Sequence, residues 1–234
     1  MGIPLKLRVR GTASVFQTVD WRKMPFYPQH IKAARLQLQK NDPVMKRIIK
    51  LVGPFHAKTK RDRFGTLVSS IVSQQISVAA ARTINNRLLE ATSGSIASPK
   101  FTPEGILKFD VDGLRELGVS RQKASYVLDL AGKVHSGVVE LEGLQRESDD
   151  EVIEVLTQVK GIGIWTAQMF LMFSLGRLDI FPCDDLGIRN AIAKRYELGE
   201  LPSKSKMLEI STPWRPYSTV ACWYLWQSLD FEDG

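Results

Sequence analysis

The sequence predicts an all-α fold, and three observations carry that reading. Apolar residues recur at helical spacing from Gln29 onward. Helix caps punctuate the pattern at short intervals, as at Ser77, Ser120 and Ser148. Strand-like alternation is confined to the start, where Leu5, Leu7 and Val9 interleave with Lys6, Arg8 and Arg10.

Residues 1–28 form an arm without helical period, holding at most that short strand; residues 29–234 read as one helical domain. Arg61 to Val72 puts Phe64, Leu67, Val68, Ile71 and Val72 on one face, and the polar Ser73-Gln74-Gln75 interrupts it. Ser77 then caps a helix carrying Val78, Ala81, Ile84 and Leu88. Thr102-Pro103-Glu104 supplies N-cap, N1 and N2 of a short helix. Gly118 stops a helix and Ser120 starts the next, which runs to about Val134. Ser148-Asp149-Asp150-Glu151 is a capping box whose helix buries Val152, Val155, Leu156 and Val159. Gly161-Ile162-Gly163 leads into a helix from Ile164 to Ser174. Further helices fit Asp185 to Tyr196, Ser203 to Ile210 and Tyr217 to Leu229. Nine or ten helices with short loops and no internal repeat are expected.

Composition narrows the function. The 234 residues carry 32 Lys+Arg against 25 Asp+Glu, a formal charge of +7, which favours an anionic partner, nucleic acid foremost. At 44% hydrophobic and 24% charged, the chain is an ordinary globular one, not a disordered one. Cys183 and Cys222 are too few for a disulfide scaffold or, alone, for a four-ligand zinc or iron–sulfur site. His30, His56 and His135 have no metal-ligand spacing, so neither a side-chain metal site nor a cofactor is expected. No apolar run spans a membrane, and the basic MGIPLKLRVRG start lacks a signal core, so an intracellular protein is expected.

Two segments carry chemistry. In Lys160-Gly161-Ile162-Gly163-Ile164-Trp165-Thr166-Ala167, two glycines around one apolar residue join two helices. Glycine allows the positive φ of a tight reversal, Ile162 plugs the gap, and the second helix opens with free N–H groups suited to a phosphate. Such contacts read no sequence. About twenty residues later, Phe181-Pro182-Cys183-Asp184-Asp185-Leu186-Gly187-Ile188-Arg189 places two acids at a helix start. Acids there are normally caps, and the dipole favours their ionised form.

Together these segments resemble the helix–hairpin–helix DNA glycosylase superfamily, and within it the 3-methyladenine DNA glycosylase II type. Ile71-Val72-Ser73-Gln74-Gln75-Ile76-Ser77, Leu117-Gly118-Val119-Ser120-Arg121-Gln122-Lys123-Ala124 and Trp214-Arg215-Pro216-Tyr217 agree in order, so the resemblance covers about residues 30–230. It implies two helical subdomains flanking an active-site cleft, with the hairpin at about 148–175 and the catalytic segment at 179–196. It further implies a monomer that flips an alkylated base from double-stranded DNA and hydrolyses its glycosidic bond. By the same resemblance Asp185 is the catalytic aspartate and Asp184 its neighbour or a cap. Trp165, Trp223 and Met169 line the base pocket, where an indole face would attract a cationic purine. Gln75 is the wedge that replaces the flipped base, and Lys160, Gly161, Gly163 and Thr166 belong to the DNA-binding hairpin. The hairpin carbonyls offer a place for Na+ or K+.

Departures are Lys160 where the family often has Pro, Ser218-Thr219 where Arg-Ser is common, and Met169 where some members have a tyrosine. Two alternatives stay open. A non-catalytic helix–hairpin–helix binder would have no use for an acid at the cleft. An oxidised-base glycosylase/lyase would need a lysine nucleophile where Trp165 stands.

Overall fold

The computed structural model describes residues 26–94 and 99–232. The Leu5–Val9 alternation lies outside them. The described chain folds as α1 (Pro28–Asn41), α2 (Pro43–Val52), α3 (Arg63–Ser73), α4 (Val78–Thr92), α5 (Pro103–Ile106) and α6 (Val111–Glu116). It continues as α7 (Arg121–His135), α8 (Asp149–Thr157), α9 (Ile164–Phe173), α10 (Leu186–Arg195), α11 (Lys204–Ser211) and α12 (Ser218–Ser228). Tight 3-10 turns add Gly143–Gln145 and Thr212–Trp214, and no strand occurs among the described residues.

Among the described residues the α-helices number twelve, because two acids cap helices that periodicity alone does not separate. Asp42 accepts from the Val44 and Met45 amides with Pro43 behind it, splitting α2 from α1. Asp110 likewise starts α6 by accepting from Gly113 N. The expected caps hold at Ser77, Thr102 and Ser120, and Ser148–Glu151 forms a reciprocal box. Val78, expected on the apolar face of α4, is 87% exposed, because the first residue of the helix stands clear of the layer that buries Ala81 and Leu88.

Two helical groups result. α1 and α2 join α10, α11, α12 and the Thr212–Trp214 turn, so the beginning and end of the described chain pack together. α3 to α9 form the other group, with α3 against α4, α7 and α9. α3 buries Phe64, Leu67, Val68, Ile71 and Val72, each contributing roughly 1.5–3 kcal/mol of apolar transfer. One apolar core runs through both groups. No described helix is long and apolar enough to cross a membrane.

Candidate active site

The α8–α9 hairpin uses its two glycines differently. Gly161 has φ +82, and a Cβ there would lie 2.1 Å from Tyr126 Cδ2, so only glycine fits. Gly163, expected to share the reversal, has φ −95 and open space around its would-be Cβ. It is the N-cap of α9 and supplies no side-chain cap, which leaves the first amides of that helix available to an anion. Ile162 is buried as the plug. Thr166, expected in the DNA-binding hairpin, is buried in the first turn of α9.

Lys160 is exposed, and its amide donates to Asp129 Oδ2 at 2.9 Å. The same oxygen accepts from Lys133 Nζ at 2.6 Å. Burial pushes the Asp129 carboxyl up, but Lys133 and the Lys160 amide outweigh it and hold the carboxyl below its ordinary value. Of the hairpin carbonyls, that of Gly161 accepts from Gln74 Nε2 at 2.8 Å and that of Val159 from Ile162 N at 3.1 Å. Among the described residues no cluster of His, Cys, Asp and Glu could hold a metal. Gln75 stands exposed at the tip between α3 and α4.

The acids are reached through an extended segment stitched to the start of α12. Thr219 Oγ1 donates to Arg177 O at 2.7 Å and accepts from Ile180 N at 3.0 Å. Asp179 accepts from Ser218 Oγ at 2.6 Å and Arg215 Nε at 2.8 Å. Ser218-Thr219, the departure from Arg-Ser, therefore serves to fix this segment.

At its end Asp185, 8% exposed, is the N-cap of α10. Its Oδ1 accepts from Ile188 N at 2.7 Å and from Trp226 Nε1 at 2.9 Å. Its Oδ2 accepts from Trp165 Nε1 at 2.7 Å. The last bond crosses between the two helical groups. A carboxylate offers about four lone-pair directions, so the one left over is on Oδ2. Asp184 does not cap; it is exposed and bonded to Lys204 Nζ at 3.1 Å.

Trp165, Met169 and Phe173 follow one another at four-residue steps along one face of α9. Trp165 is 45% exposed, Met169 is half-buried, and Phe173 meets Trp226 at a ring distance of 6.0 Å. Trp223, expected in the pocket, is buried, with ring contacts to Phe55 at 4.5 Å and Tyr224 at 4.9 Å and no bond to the Asp185 carboxylate. The α12 indole that reaches the carboxylate is Trp226. α12 buries residues on every side, so no polar face marks which tryptophan turns toward α10. Cys222 is buried in the same helix; burial, aided by the Asp185 and Asp179 charges, pushes its thiol well up and keeps it protonated. A concavity of about 730 Å³ lined by Arg61, Phe64, Lys100 and Glu142 lies at the far end of α3 from Gln75 and meets none of these groups.

A family model described as HhH-GPD superfamily base excision DNA repair protein matches residues 68–216. DNA-3-methyladenine glycosylase 1 of Schizosaccharomyces pombe is 37% identical over 220 residues, covering 92% of this chain and 95% of that protein. A solved structure of the S. pombe 3-methyladenine DNA glycosylase in complex with abasic DNA superposes with TM-score 0.75 at 37% identity, covering 85% of this chain and 97% of that one. The DNA-3-methyladenine glycosidase of Bacillus halodurans gives TM-score 0.74 at 36% identity, covering 83% and 88%.

Proposed function

The chain belongs to the HhH-GPD superfamily of base excision DNA repair proteins, and from that premise we propose that it is a monofunctional alkyl-base DNA glycosylase acting on double-stranded DNA. The observation that carries this reading is the Asp185 carboxylate, held by Trp165, Trp226 and Ile188 beside the hairpin. A pure binder gains nothing from an acid there, since it repels phosphate.

The substrates are cationic N-alkylated purines of the 3-methyladenine and 7-methylguanine type. Such a base is already a good leaving group. When the C1′–N bond breaks, its electron pair goes to the base and neutralises it, and positive charge develops on the sugar. Asp185 faces that charge and stabilises it electrostatically. Water then adds its oxygen to C1′ while its proton passes to the free direction on Oδ2, and a sugar without a base remains. Trp165 and Trp226 orient the carboxylate by their N–H groups. The exposed Trp165 ring, with Met169 and Phe173 behind it, supports a base pocket. Gln75 fills the gap left in the duplex, and the amides after Gly163 hold phosphate, with the hairpin carbonyls available to a Na+ or K+.

The lyase alternative is disfavoured because Trp165 cannot form an imine. Lys204, beside the acid pair, is exposed and bonded to Asp184 rather than to Asp185. The test is release of free base from methylated duplex DNA, with strand scission assayed separately. Free base with an unbroken strand and no borohydride-trapped adduct is expected; a trapped adduct would overturn the monofunctional reading.

A further inference from the structure

Both turns that face DNA in this reading are mounted on one side of α7. Lys123, Tyr126, Asp129 and Lys133 are three or four residues apart and so share a helix face. The last three support the hairpin. The Tyr126 ring fills the space a Gly161 side chain would need, Asp129 takes the Lys160 amide, and Lys133 donates to the Gln158 carbonyl at 2.9 Å. Lys123, at the start of the row, reaches the turn that carries Gln75. Its ammonium donates to Val72 O at 2.8 Å and to Gln74 O at 2.6 Å. The Gln74 side chain completes the link to the hairpin through Gly161 O at 2.8 Å.

This lysine stands against ordinary preference. It is the third residue of α7, where the helix dipole disfavours a cation, and burial pushes its pKa down. The compensation is the C-terminal end of α3, whose carbonyls lack intrahelical donors and favour a cation. Gln75, the next residue after Gln74, has φ +54, a left-handed conformation that side chains other than glycine avoid. Released from its anchors, that turn would relax.

We propose that Lys123 is a positioning residue for base extrusion: it ties the Gln75 turn to α7 and, with Gln74, to the hairpin, so that wedge and phosphate-binding amides meet the duplex as one rigid unit. The proposal rests on the reading of Gln75 as the wedge. Unstacking a nucleotide is costly, and a wedge on a loose turn would yield instead of holding the gap open.

The test compares single-turnover base release from 7-methylguanine in a duplex and in the same strand alone, where there is no pairing partner to replace. Lys123→Met keeps the side-chain length and removes the ammonium, Gln74→Leu breaks the other link, and Lys123→Arg restores donors. Lys123→Met and Gln74→Leu should each lose about tenfold on the duplex and less than about twofold on the single strand, with Lys123→Arg recovering most of the duplex rate. Equal losses on both substrates would refute the positioning role, since the residues would then be acting on the chemistry or the fold. Gln75→Ala separates the two ideas. If it loses duplex rate while Lys123→Met and Gln74→Leu do not, the clamp is refuted and the wedge stands. If Gln75→Ala also leaves the duplex rate intact, the wedge reading falls and the clamp with it.

Discussion

Replacing Asp185 by Asn separates the charge of this residue from its shape. Asn caps helices about as well as Asp, so its oxygen should stay where two donors converge, Ile188 N at 2.7 Å and Trp226 Nε1 at 2.9 Å. The amide nitrogen then replaces Oδ2 and faces Trp165 Nε1 across 2.7 Å, donor against donor. One charge-assisted bond is lost, about 1.5–3 kcal/mol, and the fold should survive with that deficit. Catalysis should suffer more. Removing one electrostatic stabiliser of a developing charge costs roughly 10²–10³ in rate, about 3–4 kcal/mol, and here the whole charge goes. Single-turnover release of 7-methylguanine should therefore fall by at least about 10³-fold, while affinity for undamaged duplex is kept. Asp184→Asn, at the exposed partner of Lys204, should keep the rate within about threefold. Retention of more than about a tenth of the rate by Asp185→Asn, or equal losses at the two acids, would refute the assignment.

The hairpin glycines should respond in opposite ways. Gly161→Ala, at φ +82 and against Tyr126, should destabilise the fold in thermal unfolding, whereas Gly163→Val should leave the melting temperature nearly unchanged and weaken duplex binding. Trp165→Leu and Trp226→Leu should each cost more on cationic 7-methylguanine than on neutral hypoxanthine, by a further roughly two- to thirtyfold, if the rings attract charge as well as orient Asp185; equal factors would leave only orientation and shape. Binding to undamaged DNA should weaken steeply with salt. Lys160 is exposed on the hairpin, so neutralising it should flatten the salt slope by about one. Asp129 has a folded pKa below its unfolded one, so its stabilisation is present above the unfolded value and is lost as pH falls through the folded one. Wild type should accordingly lose more unfolding free energy between about pH 5 and 3 than Asp129→Asn does.

Much of this was legible because the information is local. A serine three residues before an amide it can bond, or a glycine pair between apolar runs, fixes a cap or a hairpin without reference to the rest of the chain, which is why α4, α7 and α8 begin where their caps stand. The place of Asp185 at the start of α10 was legible from its motif. The choice between Trp223 and Trp226 was not, since it depends on how α12 is rotated against α10, and a helix buried on all sides carries no polar stripe to reveal that. The burial of Thr166 and the Gly163 φ are likewise outcomes of packing rather than of residue type. The Lys123 contact joins residues 51 and 49 positions apart, beyond any spacing rule.

The two oxygens of Asp185 divide their labour. Oδ1 is committed to the fold by the Ile188 amide and the Trp226 indole, so the carboxylate cannot turn about its terminal bond without breaking both. Rotational freedom that a surface aspartate would surrender on meeting its substrate has already been given up when α10 forms, as part of the conformational entropy of folding. In the mechanism proposed above, Oδ2 would therefore meet the sugar with almost no reorganisation left to perform. Loosening Oδ1, as in Trp226→Phe, should on this view show its cost in the activation entropy of base release more than in substrate affinity.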